Sequence, residues 1–144
     1  MNVELKTGKL IEKLARLKNM RVNSLMLKTA TEARDMIYQR SLQGIGVDGE
    51  PFKEYAELTK QFRLKKGRNI DSDRLVFTGL MMRNMQARHI PGGAVVGFNN
   101  PKELAKAKKN QERYNWFGIS QGERAKIQKD LKGLIKIELR KQSK

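Results

Sequence analysis

Between residues 4 and 43, apolar side chains return at helical spacing and no proline interrupts them. Leu10, Ile11, Leu14 and Leu17 open the pattern, and Val22, Met26, Ala30, Ala33 and Ile37 continue it at steps of three or four. A single helix over this stretch would be about 60 Å long. A small domain cannot cover that length, so part of it would project toward a partner. Lys18-Asn19-Met20-Arg21 and Asn23-Ser24 weaken the middle, and a helical hairpin folded on its own core fits the pattern equally well. At 144 residues the chain has room for one domain. It reads as an N-terminal helical arm, 1–43, on a core formed by 44–144.

Gly44-Ile45-Gly46-Val47-Asp48-Gly49-Glu50-Pro51 ends the helix with turn chemistry. Phe52, Tyr55, Leu58 and Phe62 then recur at helical steps, which predicts short helical turns carrying aromatics inward. Lys60 to Arg68 holds five basic residues and no acid, and reads as an exposed, mobile loop. Leu75-Val76-Phe77 reads as a strand that stops at Thr78-Gly79, with Thr78 as N-cap of a short helix bearing Leu80, Met81 and Met85. Ala87 to Ile90, Pro91-Gly92-Gly93 and Ala94 to Phe98 predict a hairpin. Asn100-Pro101-Lys102-Glu103 starts a helix through about Arg113, with an Asn cap, proline at the first position and glutamate at the third. Tyr114 to Ile119 reads as another strand. Ser120-Gln121-Gly122-Glu123 is a second capping box, opening a terminal helix striped by Ile127, Leu131, Leu134, Ile135 and Leu139. Hairpin connections imply antiparallel pairing. The expected fold is α+β: a long N-terminal helix, an antiparallel sheet of three to four strands, helices on one face and a C-terminal helix.

Candidate chemistry is sparse. The chain has no cysteine, which excludes disulfides, thiolate metal sites and cysteine nucleophiles. His89 is the only histidine and has no carboxylate beside it in sequence, so it reads as a solvated strand residue. Glu54 with Glu57, and Asp71 with Asp73, flank basic segments and read as partners of Lys53 or Arg74. Gly44, Gly46 and Gly49 follow a helix, the wrong context for a dinucleotide loop. No catalytic residue, metal or cofactor is assigned, and the reading is a non-enzymatic protein. No apolar run approaches the ~18 residues that span a bilayer, and Met1 to Lys9 has no signal-peptide core, so a soluble intracellular protein is expected.

What stands out is charge. The chain carries 31 basic and 15 acidic side chains, a net +16. Residues 102–144 hold 13 of the basic and 5 of the acidic groups, half of the net charge on under a third of the chain. A surface so charged attracts polyanions. The candidate contacts are Lys60, Arg63, Lys65, Lys66 and Arg68, then Lys106 and Lys109 on the middle helix, and Lys129 and Lys136 on the last. One function consistent with this is a small basic nucleic-acid-binding protein using non-specific phosphate contacts.

Asp48-Gly49-Glu50-Pro51-Phe52 resembles the D-G-x-P-[FW] turn of the phage virion-morphogenesis family, the Mu-type tail-completion and head–tail joining proteins. In that family the turn follows a long helix and leads to a basic segment like Lys60 to Arg68. Leu75-Val76-Phe77-Thr78-Gly79-Leu80 is similar to its leucine…Thr-Gly-Leu element, and Val95-Val96-Gly97 to its V-G hairpin end. Ala105 to Gln111 resembles its Ala-rich helix, and Arg113 with Trp116-Phe117-Gly118-Ile119-Ser120 its R-x-F-x-G-[LI]-S segment. The ordered set covers roughly residues 25–140. Two segments depart from the pattern: Asn110-Gln111-Glu112-Arg113 stands where a histidine–glutamine–aromatic–glycine run is usual, and Tyr114-Asn115-Trp116 where arginine–proline–phenylalanine is common. The resemblance implies a virion component, assembled in the host cytoplasm, that completes the tail or joins head and tail as a homo-oligomeric ring. Other head, neck or tail proteins would be its partners, with possible non-specific DNA contact and no membrane. It also implies that Asp48, Gly49, Pro51, Phe52, Thr78, Gly79, Gly97, Phe117 and Gly118 shape the backbone.

Overall fold

The computed structural model describes residues 1–6, 8–9, 11–12, 21–76 and 79–142. Its elements are β1 (Val3–Lys6), α1 (Val22–Leu42), α2 (Glu57–Lys65), α3 (Leu80–Asn84), β2 (Met85–Ile90), β3 (Gly93–Phe98), α4 (Pro101–Tyr114) and α5 (Gln121–Gln142). The expected α+β class is the one observed.

The sheet is antiparallel with strand order β1-β3-β2. The register sets Val3 opposite Val96 and Leu5 opposite Ala94 on one side, and Met85 opposite Phe98 and Ala87 opposite Val96 on the other. Because side chains alternate across a strand, these residues share one face, and Ala94, Val96 and Phe98 are buried there in the core. The hairpin turn is Pro91-Gly92, with Gly92 at φ 75°. Proline fixes the first turn position and glycine supplies the positive φ at the second. Met85, expected on the short helix, instead opens β2 and is fully buried.

Helix α1 lies over this face through Met26, Ala30, Ala33 and Ile37, the last three with no exposed surface. The two alanines let the helix backbone come close to the strands. Helix α5 packs along α1, and α4 packs on α3 and the end of β3. Trp116 is buried against Phe98 and Phe117, with its Nε1 donating to the Ala107 carbonyl (3.2 Å).

Several local expectations need correction. The stretch 4–43 is not one helix: Val3–Lys6 is a strand, and α1 begins at Val22. Val3 and Leu5 alternate with Glu4 and Lys6, a period of two that the helical pattern beyond it masked. Among the described residues of 1–43, β1 belongs to the sheet and α1 covers it. Helix α1 has 21 residues, about 32 Å. Leu10, Leu14 and Leu17 lie outside the described residues. Tyr114 to Ile119 is not a strand. Its backbone is bonded to side chains instead: the Trp116 and Gly118 carbonyls accept from Arg40, and the Phe117 amide donates to Gln111 Oε1. Leu75 is in a turn at φ 65°, its amide donating to the Tyr55 hydroxyl (3.1 Å). Phe77 and Thr78 lie outside the described residues, and the N-cap position of α3 is Gly79, at φ 84°. Lys60 to Lys65 is helix rather than loop.

Both capping signals formed. Asn100 Oδ1 accepts from the Lys102 and Glu103 amides, with Pro101 at the first position. The Asn100 amide goes to Asn84 Oδ1, so Glu103 does not close a box there. At α5 the box is complete: Ser120 Oγ accepts from the Glu123 amide (3.2 Å), and Glu123 Oε2 from the Ser120 amide (2.9 Å).

Candidate interaction surface

The interior arginines decide which cations are left for a partner. Arg40 follows Ile37 by three on the inward side of α1, and its side chain is 9% exposed. It pairs with both oxygens of Glu123, and it donates to the carbonyls of Trp116 (2.6 Å), Gly118 (3.2 Å) and Ile45 (3.3 Å). Arg63 Nε donates to the Asn69 carbonyl and its Nη2 to that of Val76, both at 2.8 Å, with the guanidinium 4.8 Å from the Tyr55 ring centre. Arg74 sits among the rings of Tyr55, Phe52 and Tyr114 and donates to the Lys53 carbonyl (2.7 Å). Arg34 Nε donates to the Met85 carbonyl (2.7 Å). These groups hold loops to helices. Arg63, a candidate contact residue, is buried, with its guanidinium on these carbonyls. With Arg63 turned inward, Leu58 and Phe62 face outward, 80% and 51% exposed, against the expectation that they point in; Phe52 and Tyr55 are buried as expected.

The Asp48-Gly49 turn is closed on itself. Asp48 Oδ1 accepts from the Glu50 amide (3.1 Å), Gly49 has φ 83°, and a bridge joins Ile45 to Pro51. The turn docks on the loop after α4, where the Val47 amide donates to the Asn115 carbonyl (3.0 Å) and Gly118 passes under Val47. A Cβ on Gly97 would meet Asn2 Oδ1 at 2.4 Å. Residues 46–49 and 115–118 thus form one backbone unit, braced by Arg40.

Among the remaining candidates, Lys60 pairs with Glu54 (2.8 Å). The hydrogen bond from Lys60 holds the Glu54 carboxyl below its ordinary range, and the same bond raises Lys60. Lys65, Lys66 and Arg68 are exposed at the end of α2 and just beyond it, with Lys66 Nζ 6.0 Å from the Phe62 ring centre. Lys106 pairs with Glu103 (3.1 Å). Lys109 is exposed on α4, and Lys129 and Lys136 are exposed on α5.

Two clefts adjoin along α4. One, about 330 Å³, is lined by Leu75, Gly79, Met81, Lys106, Lys109, Asn110 and Arg113. The other, about 250 Å³, lies between α2 and α4 and shares Leu75, Asn110 and Arg113, adding Tyr55, Thr59, Phe62, Arg63 and Tyr114. The structure therefore brings α2 and the basic edge of α4 to one groove, while Lys129 and Lys136 lie on the helix that packs against α1. The carboxylates and His89 stay separate in their partners: Asp73 Oδ2 accepts from Asn69, and His89 Nδ1 is 3.0 Å from the Gly93 carbonyl. Among the described residues, no three His, Asp or Glu side chains gather as a metal would require, and no helix is long and apolar enough to cross a membrane.

Sequence reasoning missed Arg40, although the helical step from Ile37 marks it as inward-facing. Arg74 carried no such signal, because its burial depends on three rings from distant segments. Comparison with models of known families, with curated proteins and with solved structures finds no match for the chain.

Proposed function

We propose that the protein is a non-enzymatic structural component of a phage particle that completes the tail or joins head and tail, working as a ring of identical subunits. The observation that carries this reading is the open sheet: among the described residues β1 and β2 each pair only with β3, so both edges lack a strand neighbour. Two different open edges on one small domain are what a heterologous, ring-closing contact uses. The ordered resemblance of residues 25–140 to the virion-morphogenesis pattern supports the same reading. So does the use of the buried arginines to brace loops. Deleting the gene from the encoding phage is expected to leave separate heads and tails, or tails with defective ends, and a plasmid copy restores joining. Normal infectious particles from the deletion would end the proposal.

A second reading, non-specific nucleic-acid binding, is favoured by the exposed cations Lys102, Lys108 and Lys109 on α4 and Lys129, Lys132 and Lys136 on α5. It predicts affinity for duplex DNA that falls by orders of magnitude between about 50 and 200 mM salt. No retention on DNA at low salt would remove it.

A further inference from the structure

The groove between α2 and α4 combines two properties that a phosphate-binding surface does not need together. Arg113 lines this groove and also the cleft that adjoins it along α4, where Lys109 and Lys106 follow. Neither Arg113 nor Lys109 has an acidic partner among the described residues, and Lys106 has its Glu103 contact. The groove's α2 side carries Phe62, and Leu58 lies one helical turn before Phe62 on α2, just outside the cleft lining; both are exposed. A nucleic-acid backbone would satisfy the cations and leave Leu58 in water, since aliphatic side chains gain nothing from phosphates. An acidic chain with apolar side chains would satisfy both walls, because helix-in-groove and strap-like partners place apolar anchors at such steps.

We propose that this groove is a docking surface for an acidic segment of a partner protein, its carboxylates meeting Lys109 and Arg113 and its apolar side chains covering Leu58 and Phe62. The cations give attraction and register, and the apolar rim gives discrimination between acidic partners. The assignment stands independently of any ring, which would form through the sheet edges.

The test uses the full-length protein and a fluorescent peptide of Asp and Glu carrying two leucines one helical turn apart. The comparison probes are the same peptide with serines for leucines and a single-stranded oligothymidine of equal charge. In about 100 mM salt the leucine peptide is expected to bind about tenfold tighter than either comparison probe. Lys109→Glu with Arg113→Glu should weaken it by about tenfold or more, whereas the charge-matched pair Lys28→Glu with Arg124→Glu, exposed on α1 and α5, should change it by less than about twofold. Leu58→Ser, at a side chain already in solvent, should bring the leucine peptide down to the serine peptide. Circular dichroism melts verify that all variants are folded. Equal weakening by the two charge-reversal pairs, indifference to the leucines, tighter binding of the oligothymidine, or no binding would each overturn the proposal.

Discussion

Arg40 ties together three segments far apart in sequence: the end of α1, the loop after α4 and the start of α5. Its partner Glu123 also closes the capping box of α5, so one carboxylate serves a helix end and an ion pair. Removing the guanidinium leaves that carboxylate, with 15% of its side chain exposed, without its cation and frees three loop carbonyls. Arg40→Ala is expected to lower the unfolding free energy by about 3–5 kcal/mol in urea denaturation, the range for breaking a buried ion pair on one side. Pairing Arg40→Met with Glu123→Leu should recover only part of that loss: it leaves no buried charge, but the capping box opens and the three carbonyls stay without their donor. A loss under about 1 kcal/mol for Arg40→Ala would show that the brace does not hold the loops. Local residue chemistry was legible in advance where donor and acceptor lie within three residues, as at Asn100 and Ser120. The arginine contacts were not, because each guanidinium reaches carbonyls set by the tertiary fold.

At the scale of elements, β1 shows the limit of periodic reading. Four alternating residues carry little signal beside a long helical pattern, and their strand identity comes from the pairing with β3. Gly93 makes that pairing possible. A Cβ there would stand 2.0 Å from the Leu5 carbonyl oxygen, which is backbone and cannot swing aside. Gly93→Ala should detach β1, raising amide hydrogen exchange across Val3–Lys6 and destabilising the fold by more than about 2 kcal/mol. Unchanged protection in β1 would refute this. The seam between α1 and α5 carries a pH signature. Burial, and next the contact with Asp130, raise the Glu32 carboxyl above its ordinary value. Asp130 is held below its own, first by Glu32 and then by Lys126. A raised carboxyl adds stability that is present at low pH and lost as pH rises through its folded value; a depressed one adds stability at higher pH that is lost as pH falls through its folded value. Glu32→Gln keeps a donor toward Asp130 and removes the raised group. Its Tm should equal or slightly exceed that of the wild type at pH 7, with the difference closing below about pH 4. A lower Tm at pH 7 would show that the Lys126–Glu32 contact outweighs burial. The hairpin, α4 and α5 were legible because turn and cap residues bound them. The loop after α4 was misread as a strand because its aromatic, apolar composition is also that of a buried loop.

For the whole molecule, the net charge of +16 divides into four arginines that hold the fold, Arg34, Arg40, Arg63 and Arg74, and a larger set of lysines and arginines that stay at the surface. The interior set bonds mainly to backbone carbonyls, so it leaves the excess of positive charge unneutralised. That excess needs an anionic partner or solvent ions, and the open sheet edges need a neighbour or protection from one. A place in an assembled particle would meet both needs, and this is the central proposal. It is tested most directly by quantitative mass spectrometry of gradient-purified infectious particles from the encoding phage. The account predicts the protein in finished particles at a small, fixed copy number, unchanged by a high-salt wash that strips loosely bound basic proteins. Its absence from fully infectious particles, or a copy number that drifts with salt, would contradict the account.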